Sequence, residues 1–217
     1  MSSMQSVPVL VGLCGPMGCG KDYLADHYIV PYIEENISTK VMKLSFADQI
    51  KVNVVASKKV PFDSVYNTPK TKTVRELLQH QGTQLGRIVH GQDVWINHFD
   101  AWCKVFALQS FRYIIVPDVR FENEARYIKN SNGILIKVDA PNRNLTRLDT
   151  ESKTDRESFM RLKNHVSETS VSTIPDDLFD CVITNDFGHV PDVRGVFALL
   201  GGAKVSPQPL LGGWNGA

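Results

Sequence analysis

Gly15-Pro16-Met17-Gly18-Cys19-Gly20-Lys21-Asp22 is the stretch on which the reading of this chain turns. Gly15, Gly20 and Lys21 satisfy the pattern G-x-x-x-x-G-K-[ST] in all but its last letter. The apolar run before it, Val7-Pro8-Val9-Leu10-Val11-Gly12-Leu13, predicts a buried parallel strand, and Tyr23-Leu24-Ala25-Asp26-His27-Tyr28-Ile29 after it has helical spacing. Strand, glycine loop and helix in that order make a phosphate cradle. Glycines let successive backbone N–H groups turn inward, the helix N-terminus adds partial positive charge, and Lys21 reaches the β- and γ-phosphate oxygens. The competing reading, a glycine-rich turn with a surface lysine, does not account for the flanking pattern. A nucleoside triphosphate is therefore the expected ligand.

Asp22 stands where a Ser or Thr hydroxyl normally ligates magnesium, and Tyr23 follows in place of a second hydroxyl residue. A carboxylate is a hard oxygen ligand that suits Mg²⁺ directly or through water, which makes Asp22 the candidate metal residue. The alternative role is a helix N-cap.

With 217 residues, 42% hydrophobic content and a formal net charge of +1, the chain suits one compact domain carrying inserted segments. Its 24 basic and 23 acidic residues are interspersed without a long single-sign run, which argues against a nucleic-acid footprint or a membrane surface. Residues 1–6 lack a basic leader region and no segment approaches a membrane span, so a cytoplasmic protein is expected. Cys14, Cys19, Cys103 and Cys181 form no C-x-x-C pair and read as reduced structural residues.

Further apolar runs at residues 41–46, 113–116, 134–138 and 181–183 alternate with helical or turn patterns. The expected fold is α/β: a mostly parallel five-stranded sheet with helices on both faces. A single domain over residues 1–200 is predicted, with a helical insert at about 59–109, a lid at about 140–175 and a flexible tail at 201–217. In the insert, Val74, Leu77, Leu78, Leu85 and Ile88 fit one apolar stripe, and Val94, Phe99, Trp102, Val105, Phe106 and Leu108 approximate another.

The third strand ends in Val116-Pro117-Asp118-Val119-Arg120, and ligands collect at the carboxyl ends of strands in open parallel sheets. Asp118 can orient a metal-bound water or a substrate hydroxyl, Arg120 offers a planar fork for a phosphate, and Glu124 can orient Arg120 or touch a sugar. Asp118 could instead cap the helix expected over residues 121–129. On the insert, Arg75 and Arg87 can bind a monophosphate, Gln79 can read a base edge and Trp95 can stack on a base. In the charged segment that follows, Arg143, Arg147, Arg156 and Arg161 are candidates to fold over a transferring phosphoryl group. His165-Val166-Ser167-Glu168 and Asn185-Asp186 would order that segment and the last strand-loop turn.

Taken together, the loop Gly15 to Asp22 with its Lys-Asp pair, Arg75 to Gln79 with Gly82-Thr83, Trp95, Val116 to Arg120 with Glu124, residues 165–168 and Val182 to Asp186 resemble the bacteriophage-type deoxynucleoside monophosphate kinases of the P-loop kinase fold. The resemblance implies that Gly15, Gly18, Cys19, Gly20, Lys21, Asp22 and Tyr23 form the ATP site. Lys51, Arg75, Gln79, Gly82, Thr83, Trp95, Asp118, Arg120 and Glu124 would line the deoxynucleotide site, with Lys21, Asp118 and Arg120 at the reacting phosphates. It further implies Mg²⁺ with ATP as donor, a deoxynucleoside monophosphate as acceptor, lid contacts from Arg143 or Arg147, and room for a homodimer. Tyr23 and the longer segment 142–165 depart from the family pattern. A kinase of another phosphorylated metabolite, such as dephospho-coenzyme A, and a nucleotide-dependent switch remain open alternatives.

Overall fold

The computed structural model describes residues 7–37, 39–57, 60–66, 70–142, 169–186 and 190–202. Its strands are β1 (Val9–Cys14), β2 (Val41–Lys43), β3 (Tyr113–Val119), β4 (Ile134–Asp139) and β5 (Cys181–Thr184). They form one sheet in the order β2-β3-β1-β4-β5, and every neighbouring pair is parallel. The sheet is thus wholly parallel among the described residues. Parallel strands must be joined by crossovers, so helices are forced onto the faces.

The alternation of side chains along β1 divides the core. Val9, Val11 and Leu13 point to one face, where Leu24, Ala25, Ile29 and Ile33 of helix α1 (residues 21–37) and Val196 and Leu200 of α7 (Arg194–Gly202) cover them. Leu10 and Cys14 point to the other face, against Phe99 and Cys103 of α5 (Val94–Leu108) and Ala125 and Ile128 of α6 (Glu122–Asn130). Both faces being dry explains why β1 reads as a continuous apolar run. In α1, Pro31 lacks an N–H, and wider π turns at Ala25–Ile29 and Ile33–Ile37 flank it.

The helical insert comprises α3 (Phe62–Tyr66), α4 (residues 72–90) and α5. Val65 and Val74 share a small core with Val54 of α2 (Asp48–Ala56), so the packed unit starts ahead of residue 59. Two expected stripes are corrected. In α4, Val74, Leu77 and Leu78 face this core, but Leu85 and Ile88 are exposed, Ile88 at 70%. The π turn Thr83–Arg87 takes in an extra residue and rotates everything after it. In α5 the buried residues are Trp95, Ile96, Phe99, Cys103 and Ala107, while Trp102, Val105 and Leu108 face outward. Trp102 meets Gln49 of α2 through its indole N–H.

Helix α7 continues through Gly202, into the stretch expected to fray. Residues 143–168, including Arg143, Arg147, Arg156, Arg161 and His165, and the tail from residue 203 lie outside the described residues. Among the described residues no helix is long and apolar enough to cross a membrane.

A close approach locks α4 to α5. The Trp95 indole packs tightly against Gly86, where a Cβ would overlap the ring, and its Nε1–H donates to the Gly82 carbonyl at 2.8 Å. Gly86→Ala must push the ring off that carbonyl, and overpacking of this kind costs about 1–3 kcal/mol. The expected result is a lower urea midpoint by circular dichroism; an unchanged midpoint would mean that the α4–α5 seam yields freely.

Candidate active site

The loop between β1 and α1 turns on glycines in a left-handed conformation, Gly18 at φ 85° and Gly20 at φ 86°, which residues with a Cβ adopt at a cost. Gly20 is the N-cap of α1 and no side chain caps it, so Asp22 does not serve as the cap. Lys21 is buried, and its ammonium donates to the carbonyls of Gly15 at 2.7 Å and Pro16 at 2.9 Å. The Cys19 thiol lies 3.5 Å from the same nitrogen, and the Cys19 carbonyl accepts from the buried Asn185 amide at 2.9 Å. Asn185, just past β5, therefore ties the loop to the far side of the sheet. Burial pushes the Cys14 thiol up to about 11, consistent with an inert structural cysteine. The described cysteines are all unbridged.

Asp22 projects outward with 76% of its side chain exposed, 3.5 Å from Lys43 Nζ on β2. Lys43 also holds Asp26 at 2.8 Å. Tyr23 lies half-exposed, its ring 4.6 Å from that of His27.

Beside the loop, under the insert, lies a cleft of about 250 Å³. Its wall brings together all of Lys51, Arg75, Gln79, Gly82, Thr83, Trp95, Asp118, Arg120 and Glu124, residues scattered from α2 to α6 in sequence. Met17 of the glycine loop closes one side, and Arg75 reaches its sulfur at 3.5 Å. Lys70 is a cleft cation outside the expected set, and Arg87, expected to bind a monophosphate, is engaged by Glu124 and the Gln92 carbonyl. Lys70 sits in a polar loop with no periodic signal. Arg87 continues the four-residue spacing of Arg75, Gln79 and Thr83, which a straight α-helix would rotate away and the π turn keeps aligned.

Charges in the cleft are close enough to perturb one another. Burial lowers the Lys70 pKa and the neighbouring Lys51 and Arg75 lower it further. For Lys51 burial works in the same direction, but Asp48, bonded at 2.6 Å, outweighs it and holds the pKa above the ordinary lysine value. Such a cluster of cations attracts an anion.

Asp118 accepts from the backbone N–H groups of Phe46 and Ala47, each at 3.0 Å, so its carboxylate staples the end of β3 to the loop after β2. It does not cap α6. That role belongs to Glu124, whose Oε2 accepts from the N–H groups of Arg120 at 2.9 Å and Phe121 at 3.2 Å. Its Oε1 takes the Arg87 guanidinium at 2.6 Å. Trp95, at 3% exposure, is wedged against Gly86 and forms part of the cleft wall. Farther along, Asp186 accepts from the backbone and side-chain amides of Asn142, each at 3.1 Å.

A wholly parallel sheet with a glycine-rich phosphate loop after its central strand and a cation-lined cleft alongside defines a P-loop kinase. No protein-family model matches the chain. Over 153 residues, 61% of this chain and 75% of the relative, it is 31% identical to a protein of Acanthamoeba polyphaga mimivirus provisionally named a deoxynucleotide monophosphate kinase. The chain belongs to this deoxynucleotide monophosphate kinase family. Among solved structures, it overlaps a thymidylate kinase from Ehrlichia chaffeensis over 89% of this chain and 96% of that one, at 12% identity and a TM-score of 0.40. A shikimate kinase from Acinetobacter baumannii overlaps 92% of this chain and 94% of its own, at 10% identity and a TM-score of 0.39. Both overlaps are loose, and the fold assignment stands on sheet order and loop geometry.

Burial raises the Glu124 carboxyl to about 7, against the pull of Arg87 and with a further push from Asp118. Between about 4.5 and 7 the folded chain holds a proton there that the unfolded chain has lost, so stability falls as pH rises through this window. Asp118, also raised by burial, acts with the same sign. Urea unfolding should therefore show Glu124 contributing a downward slope of at most about 1.4 kcal/mol per pH unit, absent in Glu124→Gln. Identical slopes for wild type and variant would show that Glu124 titrates normally.

Proposed function

We propose that this chain transfers the γ-phosphoryl group of ATP to the 5′-phosphate of a deoxynucleoside monophosphate, giving the diphosphate. The observation that carries the proposal is the cleft: it adjoins the phosphate loop through Met17, gathers Lys51, Lys70, Arg75 and Arg120, and is walled by Phe46, Ile50, Leu78 and Phe121. Apolar walls with the amide of Gln79 suit a nucleobase, and the cations suit its phosphate. That combination favours a nucleotide acceptor over other phosphorylated metabolites.

The donor triphosphate would lie in the loop, where its oxygens replace the Gly15 and Pro16 carbonyls as acceptors for Lys21. The acceptor phosphate is already ionised at neutral pH, so no strong general base is needed. Position and charge do the rest. Arg75 and Arg120 hold the acceptor, Lys21 offsets charge building between the β- and γ-phosphates, and Asp118 sets the strand end from which Arg120 projects.

Mg²⁺ is the implied metal. Among the described residues no cluster of three or more His, Cys, Asp and Glu side chains could hold an ion unaided. The outward carboxylate of Asp22, 76% exposed and 3.5 Å from Lys43 Nζ, would serve as a single protein ligand or a contact through water, the remaining oxygens coming from phosphates and water. When bound there, the ion would offset negative charge on the donor phosphates.

A coupled assay that offers ATP with each deoxy- and ribonucleoside monophosphate in turn tests the reading; no turnover with any of them would end it. Lys21→Ala should lower turnover by roughly a hundredfold or more with an unchanged circular dichroism spectrum, since it deletes a contact to developing charge. Near-normal turnover would remove the loop from the donor site. Arg75→Lys and Arg120→Lys lose the two-pronged fork and should raise the KM for the acceptor about tenfold or more. The ATP KM should stay put, and an effect confined to ATP would move both arginines to the donor side.

A further inference from the structure

Arg87 is the cleft cation the proposed chemistry leaves unused. It lies on the π turn of α4, in line with Arg75, Gln79 and Thr83, and its side chain is only 7% exposed. One guanidinium nitrogen donates to Glu124 Oε1 at 2.6 Å, another to the Gln92 carbonyl at 2.8 Å, and the group stacks 3.9 Å from the Phe121 ring centre. A guanidinium bound on its edges and covered on its face is held in one pose. Its partner Glu124, 3% exposed, grips the N–H groups of Arg120 and Phe121 with the other oxygen. One carboxylate thus joins the insert to the peptide that carries Arg120.

The consequence concerns spacing. Arg75 rides on the insert and Arg120 on the sheet, and a phosphate gripped by two forks tolerates little error in the distance between them. The Asn123 side chain adds a polar contact across the same seam, to the Gln92 carbonyl at 3.2 Å and to Asp93 at 2.8 Å, but it is exposed and uncharged. A buried ion pair is a poor device for stability alone, because desolvation offsets most of its attraction. Here it sits in the wall of the binding cleft, where a fixed geometry has a use.

We infer that Arg87 is a positioning residue for the acceptor nucleotide, acting through Glu124 to hold Arg120 opposite Arg75. The inference rests on the acceptor reading of the cleft. It also makes acceptor binding depend on Glu124 being ionised. The charged and titratable groups facing that carboxyl are Arg87 from α4, Asp118 from β3 and Cys14 from the end of β1. Asp118 disfavours the ionised form and Cys14 stays a protonated thiol, so among these charged groups Arg87 favours it, with the N–H groups of Arg120 and Phe121 acting the same way.

The test combines kinetics against pH with direct titration of Glu124 by carboxyl carbon NMR, the signal being assigned by its loss in Glu124→Gln. In Arg87→Met the Glu124 titration should move upward by about one pH unit or more. The acid limb of kcat/KM for the deoxynucleoside monophosphate should move with it, and the acceptor KM should rise about tenfold or more with the ATP KM unchanged. Arg87→Lys keeps the charge but not the fork, so it should restore the titration and the acid limb while leaving the acceptor KM raised. Should Arg87→Met fail to fold, Arg87→Lys still decides: a wild-type acceptor KM, or equal rises for both substrates, would overturn the positioning role. An unmoved acid limb in folded Arg87→Met would do the same. A wild-type enzyme that phosphorylates no deoxynucleoside monophosphate would instead sink the acceptor reading, whatever the Glu124 titration shows.

Discussion

Everything functional in this molecule depends on β1 being buried on both faces between two parallel neighbours. A strand so enclosed cannot shift register without exposing one apolar set and burying gaps in the other. Because all its neighbours run the same way, the carboxyl ends of the strands come out at one edge of the sheet. Chain segments distant in sequence therefore meet there, and their polar groups satisfy each other. Asn185 anchors the glycine loop, Asp118 anchors the loop after β2, and Asp186 anchors Asn142. These bonds join neighbouring loops, so the cleft wall behaves as one connected piece.

Period and punctuation made the frame readable. The β1 run, its glycine loop and the helix after it are local patterns with local causes, and the remaining strands announced themselves as short apolar runs between turns. The cleft residues were legible for another reason: Arg75, Gln79, Asp118, Arg120 and Glu124 are polar groups at strand ends or on helix faces where a core has no use for them. Their individual duties were not. Asp118 and Glu124 spend their oxygens on backbone N–H groups, a choice set by loops that come from elsewhere in the chain.

What escaped the sequence follows from the π turn at Thr83–Arg87. A 3.6-residue period assigned Leu85 and Ile88 to the buried stripe and offered Arg87 only as a phosphate ligand, whereas one additional residue in the turn exposes the first two and swings Arg87 into the cleft wall against Glu124. Pattern analysis assumes a constant period, and an insertion of this kind carries no signature of its own. Trp95 shows the complementary limit. Its residue type suggested a stacking surface, and its close seat against Gly86, nine positions earlier, is something only three-dimensional proximity reveals.

The electrostatics of the cleft explain why so costly an arrangement as Arg87 with Glu124 persists. Placing a carboxyl there raises it to about 7, which penalises the folded protein at neutral pH. An apolar pair of the same shape would avoid that penalty. It would also leave the N–H groups of Arg120 and Phe121 without an acceptor in a water-poor site, and nothing would bind the insert to the strand end in a single pose. A cleft meant to hold two anionic substrates side by side must concentrate positive charge, and cations so placed repel one another: Lys70, lowered first by burial, is lowered further by Lys51 and Arg75. Carboxylates threaded among them, Asp48 against Lys51 and Glu124 against Arg87, keep that repulsion within bounds while leaving Arg75 and Lys70 facing the cleft. Stability is given up locally so that charge and geometry are already in place when a phosphate arrives.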